Sequence, residues 1–178
     1  GATVKIPGSY YYGIFNDNGN VVIKSNSDVD ISSNISNNRG IHTDTGGDLT
    51  IEDSTVKVST NGVAAELKGN VSIKDSTVDL TLTDNHYEVV RTDSTAANTI
   101  DLSGSGTVTL TATGKQDYAM FGGTVTLGAN TKCETGTAIS SWNNYAGAYD
   151  AASDKTVLQF VHESTTPTAT VADVTIDG

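Results

Sequence analysis

The sequence predicts an all-β fold, a right-handed single-stranded parallel β-helix (a solenoid) of about five to seven rungs with aromatic terminal caps. Three observations predict it. One phrase of apolar residues at alternate positions occurs twice, in residues 48–58 and 70–80. The composition is rich in Thr, Ser, Gly, Asp, Asn and Val, which suits short strands joined by polar turns. Charged residues at equivalent positions of the repeat alternate in sign.

The repeated phrase predicts two short strands per unit, and further copies extend it in both directions. A third, shorter apolar patch precedes each first strand, which gives three strands per coil. The whole chain, 1–178, is therefore expected to form one domain. Residues 1–12 would be an N-terminal partial rung or cap, 13–139 the regular rungs, and 140–178 an irregular rung and C-terminal cap. The apolar pairs of the first strands are Val21/Ile23, Leu49/Ile51, Val71/Ile73, Ile100/Leu102 and Val125/Leu127.

The charges between the apolar pairs indicate how the units stack. One column holds Lys24, Glu52 and Lys74, and a second holds Asp30, Lys57 and Asp79. Equivalent residues of stacked parallel strands lie about 4.8 Å apart, so opposite charges there stabilise the pairing and like charges repel. The alternation favours parallel, in-register stacking over a series of hairpins.

Glycine marks the corner before the first strand at four units: Gly19, Gly47, Gly69 and Gly123. Such a corner needs either a positive φ or a bend too tight for a Cβ atom. With this glycine, the phrase G-(N/D)-V-x-I-x-x-S-x-V-x-V over residues 13–135 resembles that of bacterial cell-surface right-handed β-helix repeat proteins. That class includes adhesin-like, carbohydrate-binding and pectate-lyase-type solenoids, so the resemblance implies a fold and leaves several functions open.

Charge and composition exclude some classes of partner. The net charge of −11 argues against nucleic acid and against anionic membranes, since both need a basic surface. No apolar run is long enough to cross a membrane. The single cysteine, Cys133, cannot form an internal disulfide bond and falls at an inward position. The chain is expected to be part of a larger surface protein, with its signal and anchor outside this sequence.

Two equivalent corner aspartates, Asp53 and Asp75, form a candidate calcium site. Stacking would bring their carboxylates together, and calcium prefers such hard oxygen ligands. Asp44, Asp48 and Asn70 form a second acidic patch at the neighbouring corner. Each of these side chains would equally serve to cap a corner or to face solvent.

An aromatic, amide-rich segment near the C-terminus supplies the candidate glycan contacts Trp142, Asn144, Tyr145 and Tyr149. Sugars stack their C–H faces on aromatic rings and hydrogen-bond to amides and carboxylates. The same aromatic residues would also cover the open end of a solenoid core. At the other end, Tyr10, Tyr11, Tyr12 and Phe15 are expected to form the N-terminal cap.

The insertion around residues 84–93 gathers the ingredients of a lyase site. Arg91 would act as the base, and Asp84, Glu88 and Asp93 would hold calcium, although a surface ion pair explains the same residues. The three histidines are scattered and have no metal-ligand spacing; His42 follows the inward Ile41 and is expected to point outward.

The sequence thus predicts a non-catalytic extracellular or cell-surface module that recognises polysaccharide or host glycan or mediates adhesion, with no cofactor except possible assistance from calcium. The alternatives are a rigid structural spacer of a larger surface protein and a polysaccharide lyase or hydrolase.

Overall fold

A computed structural model describes residues 1–8, 10–44, 46–84, 86–92, 98–114, 120–134, 141–143 and 148–163, with the backbone alone at 141–143. Within these ranges the protein is entirely β, with no helix. No helix of the described residues is long and apolar enough to cross a bilayer.

The strands form three sheets that run along a parallel β-solenoid. Sheet A contains β1 (Thr3–Pro7), β4 (Asp28–Ser33), β7 (Thr55–Thr60), β10 (Thr77–Leu82), β13 (Thr107–Thr113), β16 (Thr131–Cys133), β18 (Tyr149–Asp150) and β19 (Lys155–His162). Sheet B contains β2 (Tyr12–Asn16), β5 (Arg39–Thr43), β8 (Val63–Leu67), β11 (Val90–Thr92) and β14 (Phe121–Gly122). Sheet C contains β3 (Val21–Ile23), β6 (Leu49–Glu52), β9 (Val71–Lys74), β12 (Asn98–Ser103), β15 (Thr124–Leu127) and β17 (Ser141–Asn143).

Each coil consists of one strand from sheets B, C and A in turn. The described strands make about four complete coils, beginning at β2, β5, β8 and β11, with β1 before them and β14 to β16 after them. Strands β14, β15 and β16 also come from sheets B, C and A, but β16 pairs with β19 and not with β13, so this set does not stack as a further regular coil and the count is lower than the predicted five to seven.

The predicted register is confirmed. Val71 pairs in parallel with Leu49 on one side and with Ile100 on the other. On sheet A, Lys57 lies between Asp30 and Asp79, and Lys5 continues the column beyond Asp30. On sheet C, Lys74 Nζ lies 3.3 Å from Glu52 Oε1. Alternating charge therefore follows the stacking direction on two of the three sheets.

The core is a set of aliphatic columns, and sheet B allows two successive residues to be buried. Ala64 and Ala65 have no exposed surface, and the same holds for Met120 and Phe121. Gly40 lies in β5 because a Cβ there would come within 2.2 Å of Val58 Cγ1 and 2.5 Å of the Ala64 carbonyl oxygen. The third apolar patch of each unit thus lies in or next to the sheet B strand of the coil.

The corner glycines serve both of the roles expected for them. Gly19 and Gly123 have positive φ, +113° and +95°. Gly47 and Gly69 instead approach the backbone of the preceding coil: a Cβ on Gly47 would lie 2.0 Å from the Gly19 carbonyl oxygen.

The C-terminal strands reverse direction. In sheet A, β19 lies between β13 and β16 and runs antiparallel to both. In sheet C, β17 runs antiparallel to β15. The inward side chains of β19, which are Thr156, Leu158 and Phe160, are buried, and the ring of Phe160 packs edge-on against Phe121 at 5.7 Å. The sequence predicts a strand here but not its direction.

Candidate functional site

The corner aspartates line one groove, as their equivalence predicts. Asp53 and Asp75 both adopt left-handed backbone conformations, with φ of 48° and 47°. They border an open groove of about 340 Å³ together with Asn26, Ser27, Asp28, Ser54, Thr55 and Thr77. Asp75 Oδ1 accepts a hydrogen bond from the backbone N–H of Ser105 at 2.9 Å, so this carboxylate ties its corner to the next coil.

Serine hydroxyls stack beneath the same corner. The Ser54 N–H donates to Ser76 Oγ at 3.0 Å, and the Ser27 N–H donates to Ser54 Oγ at 3.2 Å. Ser54 and Ser76 in turn donate to the carbonyl oxygens of Glu52 and Lys74. Across the described residues, no group of three or more His, Cys, Asp or Glu side chains is arranged to hold a metal ion. Calcium binding at Asp53 and Asp75 therefore stays a prediction.

The second acidic patch forms a hydrogen-bonded ladder between coils. Asp48 Oδ1 accepts from the Asn70 N–H at 2.7 Å, and Asn70 Oδ1 accepts from the Thr99 N–H at 3.0 Å. Asn20 Oδ1 binds the Asp48 N–H in the same way at 3.0 Å. These side chains each cap the corner of the following coil, which gives Asp48 and Asn70 a structural role.

The predicted C-terminal glycan residues are described only in part. The backbone of Trp142 pairs with Val125, while Asn144 and Tyr145 lie outside the described residues. Tyr149 is 39% exposed, and its hydroxyl donates to Asp154 Oδ1 at 2.6 Å. That hydrogen bond raises the pKa of Tyr149. The glycan contacts proposed for this segment stay a prediction.

The residues of the predicted lyase site form two separate pairs. Asp84 Oδ1 lies 2.5 Å from His86 Nδ1. Arg91 Nη2 donates to Glu88 Oε2 at 2.7 Å. Asp93 lies outside the described residues. Arg91 is thus held in an ion pair, as the simpler interpretation of this loop expects.

Three aromatic side chains form a surface on the first coil, which we call the aromatic platform: Tyr11, Tyr12 and Phe15. The ring of Tyr12 lies 4.8 Å from that of Tyr11 and 4.7 Å from that of Phe15, measured between ring centres. Tyr11 and Phe15 are 49% and 50% exposed. The N-terminal cap expected from these aromatics is present only in part, since Tyr10 packs against the core while two of the platform rings face outward.

A column of ionic side chains continues from the platform along the outer face of sheet B. In register, Phe15 lies over His42, His42 over Glu66, and Glu66 over Arg91. His42 is only 6% exposed, and its ring stacks on Phe15 with centres 5.3 Å apart. Its Nδ1 lies 3.7 Å from Glu66 Oε2, and its Nε2 lies 4.0 Å from Asp44 Oδ2. His42 points outward as predicted but is covered by the platform.

Arg39 and Glu66 form the central ion pair below the platform. Arg39 Nε donates to Glu66 Oε2 at 2.6 Å, and both side chains are more than four-fifths buried. Burial alone would raise the pKa of Glu66, but the hydrogen bond and charge of Arg39, with the charges of Arg91 and His42, outweigh it and lower this pKa. Glu66 is therefore held ionised.

Arg39 also holds the platform in place. Its Nη1 donates to the Tyr11 hydroxyl at 3.1 Å and to the Asn37 carbonyl oxygen at 2.8 Å. The guanidinium carbon lies 5.3 Å from the centre of the Tyr11 ring. A buried ion pair thus orients an exposed aromatic ring, which is a preorganised arrangement for binding.

Sequence reasoning missed this site, although a signal existed. Phe15, His42, Glu66 and Arg91 each follow an inward residue of the third apolar patch, namely Ile14, Ile41, Ala65 and Val90. Reading that outward column by register would have placed the four residues in one row.

Comparison with protein-family models, with curated proteins and with solved structures found no match to this chain.

Proposed function

We propose that this domain is a non-catalytic module of an extracellular or cell-surface protein that recognises glycan. The observation that supports the proposal is the aromatic platform, in which Tyr11 and Phe15 are half exposed beside a buried ion pair that fixes their surroundings. Contact of large hydrophobic side chains with water is unfavourable, and a sugar ring stacked on them removes that contact.

The platform suits an extended saccharide more than a small enclosed ligand. Its rings lie on the outer surface of a sheet, and the column from Phe15 to Arg91 continues across three strand spacings, roughly 14 Å in all. A chain of several sugar units would lie along this column. The C-terminal segment with Trp142, Asn144, Tyr145 and Tyr149 is a second proposed contact region.

A glycan array compared across matched variants tests the proposal. Phe15→Ala and Tyr11→Ala remove the exposed rings and are expected to abolish the array signal while the melting temperature falls by no more than about 5 °C. Val22→Ala is the control, because Val22 is an exposed hydrophobic residue of the same coil, on sheet C, with 54% of its surface accessible. Tyr149→Ala tests the C-terminal region separately.

Three outcomes contradict the proposal in different ways. Binding that persists in both platform variants and is lost in Tyr149→Ala moves the site to the C-terminal segment. Absence of any glycan signal from the wild-type protein favours the rigid spacer. An unsaturated product absorbing in the ultraviolet after incubation with uronic polymers would establish the lyase instead.

A further inference from the structure

The charges around the aromatic platform carry information about the class of sugar. We infer that the platform takes neutral saccharides and discriminates against sugars bearing carboxylate or sulfate groups. This inference rests on the proposed function. It concerns the chemical class of the sugar, which the exposed rings alone do not determine.

Both arginines of the sheet B strands are already bound to glutamates. Arg39 pairs with Glu66 at 2.6 Å and Arg91 pairs with Glu88 at 2.7 Å. Recognition of a carboxylate or a sulfate depends on cationic donors that can form charge-assisted hydrogen bonds. An anionic sugar that used either arginine would have to displace a glutamate from it.

Displacement would be costly at Glu66. Its side chain is 12% exposed, and Arg39, Arg91 and His42 together lower its pKa. Breaking a buried ion pair leaves an uncompensated charge out of contact with water, which is strongly unfavourable. A neutral hydroxyl ligand avoids that cost, because it stacks on the rings and leaves the ion pairs intact.

The charge of the whole chain acts in the same direction. At −11, the protein repels a polyanion at a distance, and salt weakens this repulsion. Salt screens the local pairing of Arg39 with Glu66 and of Arg91 with Glu88 much less. Two separable contributions therefore disfavour anionic sugars, and only one of them depends strongly on ionic strength.

The first experiment classifies the ligands that depend on the platform. A glycan array containing neutral, uronic, sialylated and sulfated sugars is probed with the wild-type protein and with Phe15→Ala. We expect the signals that Phe15→Ala removes to come from neutral glycans. Phe15-dependent signals from anionic glycans would overturn the inference and leave the proposed function standing. A complete lack of Phe15-dependent signals would overturn the inference and the platform as the glycan site, and a lack of any glycan signal would overturn the proposed function itself.

The second experiment measures the effect of the arginine pairing. Each neutral oligosaccharide that binds is compared with its derivative oxidised to a uronic acid at C6, by calorimetric titration. We expect the oxidised form to bind at least about tenfold more weakly to the wild-type protein at low salt, with part of the difference remaining at high salt. Equal affinity for the two forms would contradict the inference.

Glu88→Gln provides the matched variant, because it removes the charge nearest Arg91, whose side chain is 33% exposed, and leaves the longer contact of 4.0 Å between Arg91 Nη1 and Glu66 Oε2. The oxidised oligosaccharide should regain about threefold or more in affinity, while the neutral one should change little. Glu134→Gln is the control: it removes the same charge from the Lys132–Glu134 pair on sheet A, away from the platform. An equal gain in affinity for the oxidised oligosaccharide in both variants would mean that net charge alone causes the effect, and it would refute the role of the arginine pairing.

Discussion

The two ends of the solenoid are finished in different ways. At the C-terminal end, β19 and β17 run antiparallel to the strands they cover, and Phe160 is fully buried. At the N-terminal end, β1, β2 and β3 are the outermost strands of their sheets. Four of the five large hydrophobic side chains exposed in the described part of the chain lie at this end, Val4 on β1 and Tyr11, Phe15 and Val22 on the first coil.

The N-terminal edge nevertheless carries protection against strand addition. The Asp28 N–H donates to the Ala2 carbonyl oxygen, and the Gly8 N–H donates to that of Ser32. Even-numbered residues of β1 therefore direct their backbone groups toward β4, and odd-numbered residues direct theirs toward the open edge. Pro7 removes an N–H donor from that edge and Lys5 adds a charge to the same strand, both of which discourage edge-to-edge pairing. One end is thus closed by packing. The other end leaves a face accessible and discourages strand addition at its open edge.

The largest expected difference between the ends is in stability. Phe160→Ala should lower the free energy of unfolding by about 3–5 kcal/mol, because it empties a buried site against Phe121. Phe15→Ala should lower it by only about 1 kcal/mol, since half of that side chain is exposed and the rest packs on Tyr12 and His42. Chemical denaturation of the two variants measures the contrast, and comparable losses would show that the first coil is packed as tightly as the last.

The ion pair under the platform should give the next largest effect. Glu66→Gln is expected to cost about 2 kcal/mol at neutral pH, because it removes a charge-assisted hydrogen bond to a buried arginine. The lowered pKa of Glu66 means that its contribution is full above the ordinary glutamate pKa and is lost as the pH falls through the lowered value. Denaturation across the acid range should show a smaller pH dependence for Glu66→Gln than for Glu134→Gln. Identical pH profiles would argue against the pair.

The charged column of sheet A should give a smaller, graded effect. Lys57→Glu places a third carboxylate in register between Asp30 and Asp79 and is expected to cost about 1 kcal/mol. Lys57→Gln should cost about half as much, since it removes the attraction without adding repulsion. Added salt should narrow the gap between the two variants, which thermal melts at two ionic strengths would detect.

Tyr10, at the N-terminal end, should give the smallest effect at neutral pH. Its hydroxyl is buried without a hydrogen-bond partner among the described residues, so Tyr10→Phe should leave stability unchanged or raise it slightly. Burial, helped by the charge of Asp30, raises the pKa of Tyr10 to about 12. The stability linked to the protonated Tyr10 hydroxyl is present below the ordinary pKa of 10.0. It is lost as the pH rises toward the raised pKa. The wild-type protein should therefore lose more stability between pH 9 and pH 11 than Tyr10→Phe does, on the same principle.

The middle of the chain was predictable from its sequence because a repeat fixes register. The equivalence of Leu49 and Val71, and the alternating signs of Asp30, Lys57 and Asp79, determine which residues stack. The same holds for the N-terminal strand, where Val4 and Ile6 pair with Val29 and Ile31 as the incomplete unit predicts.

The direction of β19 was not predictable in this way. An alternation of period two reads identically in both directions, so residues 155–162 predict a strand and leave parallel and antiparallel pairing equally open. The column from Phe15 to Arg91 was missed for a different reason. Its residues occupy equivalent outward positions but differ in chemistry, from the ring of Phe15 to the carboxylate of Glu66, so no repetition draws attention to them.

The placement of β19 also governs the order of assembly. Coils that stack in parallel can form one after another as the chain is synthesised, each using the edge of the coil before it. Sheet A departs from this sequence at its end, because β16 has β19 as its neighbour and β19 separates it from β13. The edge of β13 is thus covered only after β19 has been synthesised, and sheet A is completed here only once the chain through His162 has left the ribosome.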